Sequence, residues 1–163
     1  MNLFLGLLLI IPLTGFLISL LIPKSNEKLQ SLAAFVSNEK LQSLAAFGPV
    51  GFHFLLSLSF VGVWLLNGME TFNIKEFVIY SSEGYEFFID LYFDKITAVY
   101  LLVGSLLTFL ITIYSRYYMH REEGYKRFFN TLLFFYLGYN ITIFSGNFET
   151  LFIGWEILGV SSF

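Results

Sequence analysis

The sequence predicts an all-α polytopic membrane protein: four complete transmembrane helices, the start of a fifth, and a short extracytoplasmic β-hairpin between helices two and three. Three observations predict it. Of the 163 residues, 56% are hydrophobic and only 13% charged, against roughly 25% charged in soluble domains. The apolar residues come in blocks of about 20, the length that crosses a hydrocarbon core of roughly 30 Å. The basic residues gather in alternate connections between those blocks, as they do in chains that cross a membrane repeatedly.

The first block, residues 3–22, is broken only by Pro12, Thr14 and Ser19. It has no basic residue before its apolar stretch and outruns a typical signal-peptide core, so it reads as a retained span. The second block covers residues 43–66, the third 95–114 and the fourth 126–145. A fifth helix is expected from residue 149. Its apolar run, from Leu151, has covered thirteen residues at Phe163, or about 20 Å of helix. The expectation is therefore a single membrane domain, the amino-terminal fragment of a larger protein, whose fifth helix is unfinished.

Orientation follows from the loops. Lys24, Lys28 and Lys40 lie between helices one and two, and Arg116, Arg121, Lys126 and Arg127 between three and four. Only Lys75 and Lys95 of the nine basic residues fall between two and three. Cytoplasmic loops carry this excess, which puts the amino terminus and the acidic segment 70–94 outside and sends helix five inward. The expected location is a bacterial inner membrane, with a mitochondrial inner membrane as the other option. Within the outer segment, residues 72–78 and 85–92 are aromatic and β-branched and are separated by Ser81, Ser82 and Gly84. They read as a β-hairpin, with an irregular loop as the alternative. Asp94 precedes the third block, where its carboxylate can accept from the free amides of the first turn.

Residues 25–35 (SNEKLQSLAAF) recur unchanged as residues 37–47. Solenoid repeats come in threes or more and diverge, so two perfect copies indicate a duplication of coding sequence or an assembly error. Extra length in a loop costs little closure entropy. Helix two is expected to begin near Ser43, with the first copy a short amphipathic or irregular excursion.

There is no cysteine, which excludes disulfides, thiolate metal sites and cysteine-ligated iron–sulfur clusters on this chain. It also has no glycine-rich phosphate loop. No cofactor, metal or nucleic acid is expected, and any energy-yielding chemistry belongs to a partner. The strongest chemical signal is Gly154, Trp155 and Glu156, followed by Gly159 and Ser162. An ionised carboxylate in hydrocarbon costs a few kcal/mol even on lenient scales, so it faces protein or water by default. If helix five begins near Phe148, Glu156 lies about 12 Å down its axis, near mid-membrane. The plain alternative is a glutamate that snorkels to the outer interface. The flanking glycines permit close packing or a bend. His53 is the other ionisable group inside an apolar block, a candidate proton relay or, more simply, a histidine hydrogen-bonded to a neighbouring helix. His120, beside Glu122 and Glu123, reads as part of a solvated or partner-facing loop. Tyr114, Tyr117, Tyr118 and Tyr125 read as an interfacial belt, and Asn140 as a hydrogen bond across the bundle.

These residues occur in an order that resembles the antiporter-like proton-pumping subunits of respiratory complex I, most closely the L-type subunit or chain 5. Asp94 and Thr97 stand before and within the third helix; Tyr114, Ser115, Tyr118 and Met119 follow. Arg127 to Phe129 open helix four, and Gly154 to Glu156, with Gly159 and Ser162, mark helix five. The resemblance covers residues 93–163 in detail and the first ninety in layout. It implies that Glu156 pairs with a lysine on a later helix, beyond Phe163, and gates proton passage. It also implies other membrane subunits, the lipid bilayer, and protons or sodium ions as partners. Phe163 stands where a tyrosine is usual, and Tyr139 and Asn140 put polar groups into helix four. Mrp-type sodium/proton antiporters and a two-component inorganic-carbon uptake system carry related subunits. The competing class is a structural or assembly subunit without a proton path.

If the duplication is an insertion, deleting residues 25–36 leaves one copy and a chain that still inserts and assembles. Fractionation and native gels of the deletion variant check this, and loss of membrane insertion would show that the first copy is needed.

Overall fold

A computed structural model of the chain describes residues 2–22, 32–82, 84–120, 122 and 124–163. The described residues form, in order, α1 Asn2–Leu21, α2 Leu32–Leu66, β1 Phe72–Ser82, β2 Tyr85–Phe93, α3 Lys95–Tyr118, α4 Tyr125–Ile143 and α5 Phe148–Ser162. Among the described residues, three stretches are long and apolar enough to cross a membrane: Phe4–Leu21, Glu39–Leu66 and Lys95–Tyr118. The expected count of four complete spans and part of a fifth includes two more helices. α4 has 19 residues, with Lys126, Arg127 and Asn130 in its first turns, and α5 has 15.

Polar side chains gather between the helices beside the apolar cores, and many large apolar side chains face outward. Ser19, Gln42, His53, Ser57, Ser105, Thr112 and Asn140 are buried. Leu21, Leu55, Leu66, Val99, Leu107 and Phe152 are exposed. Water would invert that distribution, whereas a bilayer favours it, because lipid tails are as apolar as leucine and polar side chains gain most by finding each other.

α2 begins at Leu32, eleven residues before the Ser43 start that the apolar pattern suggests. At 35 residues it is about 52 Å long, so it takes in the whole second copy of the repeat. The reason lies in the contacts of that copy. Gln42 Nε2 donates to Ser19 Oγ and, at 3.0 Å, to Asn130 Oδ1; Ser19 Oγ also donates to Asn130. Glu39 Oε2 lies 2.7 Å from His120 Nδ1. These bonds tie α2 to α1, to α4 and to the end of α3, and a helix is the conformation that holds them one turn apart. Residues 25–31 of the first copy lie outside the described residues, as do Lys24, Lys28, Arg121 and Glu123. At the same end, Lys126 Nζ donates to the carbonyls of Leu20, at 3.1 Å, and Ile22. A cation thus satisfies carbonyls that the last turn of α1 leaves free.

The hairpin forms as the alternation indicates. β1 and β2 pair antiparallel from Phe72↔Phe93 to Ser82↔Tyr85, with register irregularities between Lys75 and Phe77 and between Val78 and Tyr80. Those bulges account for the imperfect alternation, since each extra residue reverses the side-chain pattern. Gly84, at φ +93, makes the turn in a region where other residues are strained. The hairpin closes over one end of the bundle. Phe93, fully buried, packs edge-on against Phe60 and Trp64, and Leu5, Leu8, Leu101 and Phe144 complete that core. The α4–α5 turn attaches to β2: Tyr92 N–H donates to Phe144 O at 2.7 Å, and Gly146 N–H to Asp90 O at 2.8 Å.

Asp94 is the N-cap of α3. Its Oδ1 accepts from Thr97 N at 2.8 Å and from Thr97 Oγ1 at 3.1 Å. α4 and α5 pack closely because glycine sits on both sides. A Cβ at Gly138 would lie 2.7 Å from Ile157 Cγ2, and one at Gly154 would lie 2.7 Å from the backbone nitrogen of Thr142.

Asp94→Ala is expected to cost about 1 kcal/mol, read as a lower unfolding midpoint of the detergent-solubilised protein, with Asp94→Ser recovering most of it. Gly154→Ala, forced against backbone, is expected to cost about 1–3 kcal/mol in the same measurement. Gly62→Ala, which meets nothing within 4 Å, stays within about 0.5 kcal/mol.

Candidate functional site

α5 carries the first candidate group and is seated by its amino end. Asn147, the N-cap, accepts from Thr150 N at 2.9 Å, and its Nδ2 donates to Phe88 O at 2.8 Å. Thr150 Oγ1 accepts from Asp90 N at 3.0 Å. The hairpin therefore sets where α5 starts. Glu156 follows Phe148 by about 12 Å of helix axis. Gly154, Thr150 and Ser161 are the buried positions of α5, and its helical neighbour is α4.

Because Gly154 faces α4, the side chains of Trp155 and Glu156 turn away from it. Glu156 is exposed and lines an open groove of about 570 Å³ with Phe152, Trp155, Gly159, Val160 and Phe163. No described residue hydrogen-bonds or ion-pairs with its carboxylate. Gly159 meets nothing within 4 Å, so that side of the helix is free for a second helix to approach.

His53, on α2, lies on the other side of α4 and is fully buried. Its Nε2 is 2.9 Å from Leu8 O on α1. A carbonyl oxygen can only accept, so Nε2 carries the hydrogen. Nδ1 then accepts from Tyr136 Oη of α4 at 2.6 Å, with the rings edge-on at 5.0 Å. Ser57, one turn on, donates to His53 O at 2.8 Å and lies 3.3 Å from Nδ1. The fold does not bring His53 and Glu156 together, since Tyr136 faces one and Gly138 and Thr142 of the same helix face the other.

The remaining polar groups are placed as follows. Asn140 is fully buried and its Nδ2 donates within α4 to Tyr136 O at 2.7 Å, not across the bundle; its Oδ1 has no partner among the described residues. Tyr114 and Tyr118 stack at 5.6 Å and stay exposed, whereas Tyr125 turns inward against Phe129. His120, half-exposed in its loop, contacts Glu39 of α2. Sequence reasoning missed Tyr136, which looks like one more core aromatic, and Asp90, hidden among the acids of the outer segment. Asp90 is buried beneath the α4–α5 turn, and its Oδ1 has no partner among the described residues. A signal for Tyr136 existed: a histidine and a tyrosine in separate apolar blocks both need partners in a bilayer. No described group of three or more His, Asp or Glu is arranged to hold a metal.

The family model for NADH-ubiquinone oxidoreductase (complex I), chain 5 N-terminus, matches residues 79–129, from the tip of β1 into the start of α4. The NADH-quinone oxidoreductase subunit L of Escherichia coli (strain K12) is 29% identical over 160 residues, covering 98% of this chain and 24% of that protein. Subunit L of Neisseria meningitidis (serogroup A / serotype 4A) is 33% identical over 109 residues, 65% of this chain and 16% of that protein. The NADH-ubiquinone oxidoreductase chain 5 of Felis catus is 27% identical over 114 residues, 70% and 19% respectively. The chain spans about a quarter or less of the length of these relatives. With its apolar exterior, its buried polar groups and these matches, the chain is similar to the antiporter-like membrane subunits of complex I that include subunit L and chain 5.

Proposed function

We propose that this chain is the amino-terminal part of a proton-translocating membrane subunit of a complex I-like NADH:quinone oxidoreductase, and that Glu156 transfers protons within it. The observation that carries the reading is the position of Glu156. It lies about 12 Å along α5, on the face that α4 does not cover, in a groove with Trp155 and Gly159. Hydrocarbon is a costly neighbour for a carboxylate, so that face is where a further helix, carrying the cation implied by the family resemblance, completes the site. A glutamate held between a cation and a low-dielectric wall changes its proton affinity when the cation moves, which is the elementary step of a proton gate.

The chain then crosses the membrane four times and enters a fifth. Its basic connections at Lys40 and at Arg116 to Arg127 lie in the cytoplasm, and its amino terminus and hairpin lie outside. It sits in a bacterial inner membrane, or a mitochondrial one, beside other membrane subunits, and is driven by a partner complex that carries the energy-yielding chemistry. Its similarity to NADH-quinone and NADH-ubiquinone oxidoreductase subunits favours this machine over an Mrp-type antiporter or a carbon-uptake system.

In the intact complex, Glu156→Gln is expected to leave assembly unchanged and to lower proton transport by on the order of tenfold or more. Acidification of inverted vesicles driven by NADH oxidation with quinone as the electron acceptor, with native gels as the assembly control, reads both. Normal transport by that variant overturns the assignment and leaves the structural or assembly role.

A further inference from the structure

Pro12 lies inside α1. Proline has no N–H, so a proline in a helix leaves the carbonyl four residues earlier without its intrahelical partner, and here that carbonyl belongs to Leu8. In a bilayer no water can supply the missing donor; a neighbouring helix must. His53 Nε2 lies 2.9 Å from that oxygen. The side chain that meets the orphan carbonyl is also the one whose second nitrogen receives the Tyr136 hydroxyl at 2.6 Å. One ring thus joins a defect in α1, through α2, to α4, the helix on which α5 packs.

We propose that His53 is a helix clamp: it replaces the hydrogen bond that Pro12 removes from α1 and, through Tyr136, fixes α4 in place, acting as a positioning residue that does not itself carry protons. The chemistry of the two contacts separates this role from a relay. A relay histidine takes a proton on one nitrogen and hands one on from the other to a group that can pass it further. Nε2 faces a helical peptide oxygen, which accepts a hydrogen bond but cannot carry a proton onward. The Ser57 hydroxyl donates to the His53 carbonyl, so it too is committed. Burial of all three side chains, His53 and Ser57 fully and Tyr136 to 1% exposure, keeps water from opening another route. The proposal does not rest on the proton-transfer role of Glu156.

The test is a double-mutant cycle in the full-length protein within its membrane complex, read as the unfolding midpoint in detergent. His53→Leu is expected to lower the midpoint by several degrees. In a Pro12→Ala background the backbone N–H gained at position 12 bonds Leu8 O within α1, so the same His53→Leu change is expected to cost distinctly less. Equal losses in the two backgrounds would overturn the link to Pro12. If His53→Leu alone fails to assemble, the assembled yield of the double variant serves as the readout, and failure of the double variant to recover any yield counts against the clamp. The second arm uses His53→Gln, which keeps an N–H donor and an acceptor but cannot relay a proton. The clamp predicts proton transport within about twofold of the parent, and loss of transport at unchanged stability would make His53 a relay and overturn the proposal. Normal transport by Glu156→Gln would remove the gate reading alone, since the stability cycle is judged independently of it.

Discussion

A polar group between helices in a bilayer has no water to bond, and each of the principal contacts in this molecule answers that constraint. The backbone of each helix satisfies itself except at prolines and ends. At Pro12 the orphan carbonyl of Leu8 meets His53; at the end of α1 the carbonyls of Leu20 and Ile22 meet Lys126. Hydroxyls bond back to the turn before them, as Ser59 does to Leu55 O, Thr112 to Thr108 O and Thr142 to Gly138 O. Each pairing between helices joins a local property of one to the position of another, so the bundle is located by its polar groups and filled by its apolar ones.

Close approach follows the same logic with small residues. Where a helix offers glycine, its neighbour moves in: Pro49 against Gly15, Tyr139 against Gly104, Ile157 against Gly138, Thr142 against Gly154. Between lipid and protein the hydrophobic effect draws little distinction, so dispersion over a flush surface becomes the attraction that holds α4 to α5. That contact also sets the facing of Glu156. By taking Gly154 inward it turns Glu156 outward, and a carboxylate that a side chain at 154 would have displaced is presented along an open face.

Much of this was legible in the residue order. Asp94 before an apolar block announces a cap, and it is one. The aromatic runs on either side of Ser81, Ser82 and Gly84 announce a hairpin, and the strands pair there, with bulges that the flawed alternation already contained. α5 starts at Phe148, within a residue of where the apolar run placed it, with Asn147 as a cap that the structure adds. What escaped was the start of α2. The segment at residues 32–42 is too polar to look like part of a membrane helix. It is helical because Glu39 and Gln42 find His120, Ser19 and Asn130 on other elements. Periodicity within one segment contains no information about partners 23 or 81 residues away.

The sequence by itself determined the solvent and the class of fold, and set an expected depth for Glu156. These depend on the length and composition of single segments measured against the thickness of a bilayer. Only the tertiary structure decided which way that glutamate faces and what His53 touches. Facing is set by which side of α5 lies against α4, and the contacts of His53 by a proline 41 positions earlier and a tyrosine 83 positions later. Both are relations between segments, and in a bilayer such relations come from mutual satisfaction of polar groups and mutual fit of small ones, neither of which a single helix contains.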